Sequence, residues 1–190
     1  MTATAKDIIC LPDPRLHKKS RRIGHVDQSV AELAQRMAEA TIDWESTRAH
    51  EVGVALAAVQ LAELERVIIV RNDFDNKADQ SFSVFINPEI VKFEGTPVED
   101  MEGCLSVKDV YGSVLRYPRV KVKAIGLDGE PIRLTVTDFL ARVFQHEIDH
   151  VNGIVFVDHI EDKSKLFSIL EDGQLVPLPA DQIPPLEHLS

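Results

Sequence analysis

Cysteine is scarce: Cys10 and Cys104 are the only two in 190 residues, and they lie far apart. A chain of this length buries a sizeable core without disulfides. No bridge is therefore implied, and each cysteine has to be judged on its own surroundings. No apolar run approaches the ~18 residues that span a bilayer, so no membrane partner is expected. Residues Met1 to Asp7 lack the charged start and apolar stretch of a secretory signal, which makes the cytoplasm the default location. There is no internal repeat and no linker that would divide the chain. Positive charge is also in deficit. The formal net charge of −10 argues against a general nucleic-acid binder and against DNA as a partner.

The composition, 44% hydrophobic and 27% charged, is that of an ordinary soluble domain and excludes wholesale disorder. Charge is unevenly spread. Arg15, Lys18, Lys19, Arg21 and Arg22 stand against Asp13 alone, whereas residues 161–190 hold six acids and two lysines. Both stretches read as solvated surface, since charge runs usually are.

Val30, Leu33, Ala34, Met37, Thr41 and Trp44 recur at helical period, and Ser29 with Glu32 has capping-box spacing, which predicts a helix over 29–47. Residues 66–70 and 83–87 read as buried strands. Between 119 and 137, Val120, Val122 and Ala124 alternate with charged residues. Asp128-Gly129 then turns the chain, and Ile132, Leu134 and Val136 alternate in turn, which predicts a hairpin. A second helix follows, capped by Thr137 or Asp138, striped by Leu140, Val143, Phe144 and Val151, and stopped by Gly153. A third helical stretch is expected around 161–170. Beyond it, Pro177, Pro179, Pro184 and Pro185 predict an irregular tail. Helices separated by strands indicate an α+β fold with an antiparallel or mixed sheet.

The chemistry concentrates in Gln145-His146-Glu147-Ile148-Asp149-His150. Positions four apart on a helix differ by about 40° around the axis, so His146 and His150 project from one face and can meet one metal ion. Glu147 flanks that face, within reach of a water but not of the metal. This is the HExxH arrangement of two ligands and a general base; two ordinary helical histidines beside a surface glutamate are the bland alternative. A catalytic metal wants a third protein ligand. Phe156 occupies the place where one protease class has a further histidine, which excludes that class. Glu171 lies at the distance another class uses, but on a weakly patterned, solvated stretch.

The stronger candidate is Cys104, within Glu102-Gly103-Cys104-Leu105-Ser106. Its small and polar neighbours suit core packing poorly, and a metal would hold it as thiolate. A free buried cysteine fits equally well. Cys10 has no such setting. In Gly53-Val54-Ala55-Leu56-Ala57-Ala58-Val59-Gln60, small side chains permit close approach to the backbone and Gln60 offers an amide donor. An Ala-rich core segment ending in a solvated glutamine is the simpler reading of that run.

Together, and in this order, the three segments resemble the signatures of peptide deformylases, GxGLAAxQ, EGCLS and QHExDH. The second and third match in full; the first has Ala55 for its second glycine. The resemblance runs from about Leu11 to Asp158. It implies an α+β domain over 1–172, with sheets packed around the HExxH helix and a Pro-rich tail over 173–190. The implied activity is metal-dependent removal of the N-formyl group from the N-terminal methionine of new polypeptides. Cys104, His146 and His150 would then be metal ligands for one divalent ion, Fe2+ natively, with Zn2+, Ni2+ or Co2+ tolerated. The Gln60 amide and the Leu105 backbone N–H would stabilise the oxyanion, and Glu147 would move the proton. Gly53, Val54 and Ala55 would pair with the substrate backbone by strand addition. Val143, on the metal helix, would help to form the methionine pocket. N-formyl-Met peptides and nascent chains are the implied partners, and ribosome contact is only weakly supported by the basic stretch. Two departures stand out. Ala55 adds a methyl where substrate should pass, and Arg142 takes a place where an aliphatic residue is expected, either with its head in water or as a polar group at the pocket mouth. Both keep open a same-fold hydrolase of another N-formyl compound; a non-catalytic metal or peptide binder is a third reading, disfavoured because a binder has no use for Glu147.

Overall fold

The computed structural model describes residues 2–48, 50–170 and 173–179. The periodic run after residue 29 forms helix α1, Gln28–Ser46. Its N-cap is Asp27 rather than Ser29: the Asp27 carboxylate accepts from the Ser29 N–H at 2.9 Å, which satisfies one of the free donors of the first turn. Five strands then form an antiparallel sheet: β1 (Ala55–Ala57), β2 (Val67–Arg71), β3 (Phe82–Glu94), β6 (Arg119–Ile125) and β7 (Pro131–Thr137), adjacent in that order. A second antiparallel sheet holds β4 (Val98–Cys104), β5 (Val107–Arg116), β8 (Leu166–Ile169) and β9 (Leu175–Pro177). The expected hairpin is β6–β7, in register from Arg119 opposite Thr137 to Ile125 opposite Pro131.

Strand alternation explains the layering. On one face of the larger sheet, Ala55, Ile68, Val70, Phe85 and Val122 pack against helix α2, Asp138–Asn152. On the other, Leu56, Val67, Ile69 and Ile86 pack against Met37 and Leu33 of α1. Phe85 and Phe144 meet edge-on across the first of these interfaces, with centroids 4.9 Å apart. A third apolar cluster, including Leu16, Cys104, Val114, Phe156 and Leu166, lies against the smaller sheet.

Three expectations change. β3 runs well past Asn87-Pro88, where proline reads as a strand end. The chain passes it through a register shift, with Asn87 at φ 52° and its side chain bonded to the Ile23 N–H and carbonyl at 2.9 and 2.8 Å. Residues 161–170 are not an α-helix. A 3-10 turn over Lys163–Lys165 leads into β8, whose pairing with β5 sets Ser168 opposite Val110. Part of the Pro-rich tail is also ordered as strand, since β9 pairs with β8. Residues 180–190 lie outside the described residues.

At the start of α2, Thr137 holds the N-cap position without a side-chain bond, and Asp138 instead donates its N–H to the Pro118 carbonyl at 2.7 Å. The stop at Gly153 is doubly specified. Its φ is 81°, and a Cβ there would stand 2.7 Å from the His17 carbonyl oxygen. Gly153→Ala should therefore cost about 1–3 kcal/mol of stability. Urea unfolding measures this, and an unchanged midpoint would contradict it.

Candidate metal centre and cleft

The β4–β5 hairpin closes through a two-residue turn, Leu105-Ser106, with Cys104 opposite Val107. The turn sets Cys104 at the strand end, facing α2. Gly103 is required for space rather than backbone freedom: a Cβ there would stand 2.6 Å from the Tyr111 ring. From α2, His146 and His150 project one turn apart, their rings 4.9 Å between centroids. The donor atoms of Cys104, His146 and His150 all lie within 4.8 Å of one another, and all three residues are buried. Cys104 Sγ is 3.2 Å from His150 Nε2. Tetrahedral coordination at ordinary Zn–S and Zn–N lengths needs donors roughly 3.4–3.8 Å apart, so the group fits one divalent ion with little adjustment. Glu171 lies outside the described residues.

The electrostatics suit that donor set. Burial, reinforced by His146 and Arg116, holds His150 well below the usual imidazole pKa, so it is neutral. Burial would also depress His146, but its contacts with Cys104 and Glu102 outweigh this and raise it. Cation binding displaces that proton. The Ser106 N–H donates to Cys104 Sγ at 3.4 Å. Glu147 is also buried, which pushes its carboxyl up to about 7. Its Oε2 has no hydrogen-bond partner among the described residues, and a buried oxygen in that condition calls for a ligand or water.

Gln60 ends the Ala-rich run inside a 3-10 turn over Ala58–Leu61 and is buried, not solvated. Its Oε1 accepts from the Ala57 N–H at 2.8 Å. Its Nε2 donates to Ser106 Oγ at 3.1 Å and faces Cys104 Sγ at 3.5 Å. The amide orientation is thus fixed, with its donor end towards the metal cluster. β1 is an edge strand, and Val54, Ala55, Gln60, Leu105, Val143, His146 and Glu147 line one cleft of about 350 Å³. Gly53 precedes β1 and donates its N–H to Glu45 at 3.0 Å. Ala55 both lines the cleft and is buried. It is paired with Val70 in ordinary strand geometry and packs within the core under α2.

Arg142 differs most from expectation. It is 8% exposed, so its head is not in water, and it lines the cleft. Its Nη1 donates to Glu102 Oε1 and to the Val114 carbonyl, both at 2.8 Å, and its Nη2 to the Val98 carbonyl at 2.8 Å. Glu102 is the hub. It also accepts from Arg116 at 2.8 and 3.1 Å and from His146 Nδ1 at 3.0 Å. Burial alone would raise the Glu102 carboxyl, but the bonds from His146 and Arg116 override it and hold it well below the carboxylate range. Arg116 further binds Asp149 at 2.5 Å. Sequence reasoning passed over Arg116 and Gln145. Gln145 bonds both the N–H and the carbonyl of Tyr117, at 3.0 and 2.8 Å. Neither shows a local signal of this role, since Glu102 and Asp149 lie 14 and 33 residues from Arg116 and Tyr117 lies 28 from Gln145.

Comparison with known proteins points the same way. A family model described as polypeptide deformylase matches residues 5–166. A peptide deformylase of Thermomicrobium roseum is 44% identical over 172 residues, covering 89% of this chain and 93% of that protein. One from Desulfotalea psychrophila is 39% identical, covering 80% and 86%. Among solved structures, the Synechococcus elongatus peptide deformylase in complex with actinonin superposes with a TM-score of 0.75 at 30% identity, covering 85% of each chain. The Legionella pneumophila enzyme gives 0.72 at 35%, covering 85% and 87%.

Glu102→Gln would remove the charge that balances two buried guanidinium groups. A broken buried ion pair costs about 3–5 kcal/mol, and loss of a ligand's outer partner costs about 10–100-fold in metal affinity. Urea unfolding and chelator competition should register both losses; wild-type values in either would deny Glu102 its role as hub.

Proposed function

The chain belongs to the polypeptide deformylase family, and from that premise we propose that Cys104, His146 and His150 hold its divalent metal ion. The reaction is hydrolysis of the formyl group from the N-terminal methionine of new polypeptides. Convergence of three donor atoms within 4.8 Å, with the Glu147 carboxyl adjacent on the same helix, carries the assignment of residues. When bound, the ion supplies Lewis acidity: water becomes acidic enough to yield a nucleophile near neutral pH.

The remaining work falls to the protein. Glu147 takes the proton from the attacking water and delivers it to the leaving amine, a role that typically contributes ~10²–10⁴ in rate. Burial raises its pKa, which suits a group that must both accept and give up a proton. The Gln60 amide and the Leu105 backbone N–H donate to the formyl oxygen as negative charge develops there; one such donor is typically worth ~10²–10³. Because Gln60 Oε1 is fixed by Ala57, its donor is aimed before substrate arrives. The substrate backbone pairs along Gly53, Val54 and Ala55 at the open edge of β1, and its methionine side chain lies against Val143 and Arg142.

Fe2+ is the native metal in this reading, and Zn2+, Ni2+ or Co2+ substitutes for it. A mixed thiolate and imidazole set accepts each of these, and ligand type does not separate them. We assign the enzyme to the cytoplasm, as one catalytic domain, acting on nascent chains. Any ribosome contact is weak. Within the basic stretch, Arg15 is already paired with Asp13 and Arg21 with Glu65.

Purification without oxygen, followed by elemental analysis and a formate-release assay on formyl-Met peptides, tests the assignments together. Glu147→Gln should keep its metal and lose at least ~10²-fold in kcat. Cys104→Ala should lose the metal itself. A Glu147→Gln protein with wild-type turnover, or a Cys104→Ala protein with full metal content, would refute the respective role.

A further inference from the structure

We propose that Arg142 is a specificity-determining residue: it fixes the width of the pocket that receives the substrate's methionine side chain. The proposal rests on the functional reading above and adds to it what selects the side chain. Phe139, Arg142, Val143 and His146 lie at helical spacings of three and four on α2, hence on one face, and all four line the cleft. Met101 and Gly103 of β4 line it as well. A side chain bound beside the metal ligands therefore lies between α2 and β4.

Arg142 ties these two walls together. Its guanidinium reaches the carbonyls of Val98 and Asp100 on β4 at 2.8 and 3.3 Å, the Val114 carbonyl on β5 at 2.8 Å, and Glu102 at 2.8 Å. β4 is the edge strand of its sheet, so nothing across its outer edge pairs with it as a strand. The arginine instead bonds carbonyls of both β4 and β5, and the gap between helix and hairpin cannot widen without breaking several charge-assisted bonds.

The same bonds decide what the pocket accepts. A guanidinium whose donors are committed to protein acceptors presents a flat, weakly hydrated surface. An unbranched, polarisable chain such as methionine's can lie along it without stripping water from an unpaired charge. A rigid aromatic ring needs more width, and the brace resists giving it. Arg142 also shares Glu102 with His146, so the wall that measures the side chain and the imidazole that positions the metal are held by one carboxylate.

The test compares kcat/KM for formyl-Met and formyl-Phe peptides of otherwise identical sequence, on wild type, Arg142→Lys and Arg142→Leu. The Met-to-Phe ratio cancels any general loss of folded or metal-loaded protein, which a merely structural role would produce. A misfit of one methylene in an apolar pocket is worth about tenfold or more. The ratio should thus fall about tenfold in Arg142→Leu, through KM rather than kcat, and by less in Arg142→Lys, which keeps the charge without the planar fork. If the leucine variant does not fold, the lysine variant decides the matter alone. A wild-type ratio in the folded variants overturns the proposal and leaves the functional reading intact. Wild-type protein that releases no formate from either peptide overturns both.

Discussion

The site depends on a single buried carboxylate. Glu102 sits on β4 two residues before Cys104 and accepts from Arg116, Arg142 and His146. Burying a charge costs several kcal/mol unless partners compensate it. Here the compensation comes from three residues on two other elements: β5 sends Arg116, and α2 sends Arg142 and His146 onto β4. The cost of desolvation is therefore met only when helix and hairpin are docked in one register. That register brings the Cys104 sulfur to the His150 imidazole. The three convergent donor residues come from two parts of the chain, and the ion network fixes the distance between those parts.

The arrangement also explains why so polar a helix can be central. Ten of the fifteen residues of α2 are buried, among them Arg142, Gln145, His146, Glu147 and His150. A helix with those residues would be a liability in an apolar core. One face instead packs Val143, Phe144, Ile148 and Val151 against the larger sheet, and the polar residues meet the β4–β5 hairpin and its turn. Gln145 is instructive. Bonding both backbone groups of Tyr117, it does for the β5–β6 connection what a neighbouring strand would otherwise do, and it locks that connection to the helix.

Much of this was legible in sequence, and what was not has a common cause. Periodicity located α1, the β6–β7 hairpin and α2, because each is an amphipathic element whose pattern is local. HExxH brought two histidines and a glutamate to attention for the same reason. Cys104 and Gln60 could not be decided from their own surroundings; only the three segments in order pointed to a cysteine beside the two histidines and to a buried rather than a solvated amide. The surface reading of Arg142 failed because a charged residue on a helix reads as solvated, and its four acceptors lie 28 to 44 positions away. Ala55, read as a methyl in the path of a substrate, is buried under α2 and also lines the cleft. Residues 161–170 looked helical because their apolar spacing was counted without the partner, β5, that draws Leu166–Ile169 into a sheet.

Hydrogen-bond accounting separates the groups that build the site from those that act in it. Within Gln145–His150, Gln145 is held by Tyr117 and Ala141, His146 Nδ1 by Glu102, and Asp149 by Arg116 and His159. Two atoms in this stretch are buried without a partner among the described residues, Glu147 Oε2 and His150 Nδ1. The His150 ring turns its other nitrogen to Cys104, so its orientation is set by the ligand cluster itself. That leaves the Glu147 carboxyl as the one acid on the helix face whose hydrogen-bonding capacity the fold does not consume. A buried carboxyl oxygen left open in an otherwise satisfied network is costly to keep. Its retention beside three convergent donor atoms is the observation on which the proposed proton-carrying role of Glu147 rests.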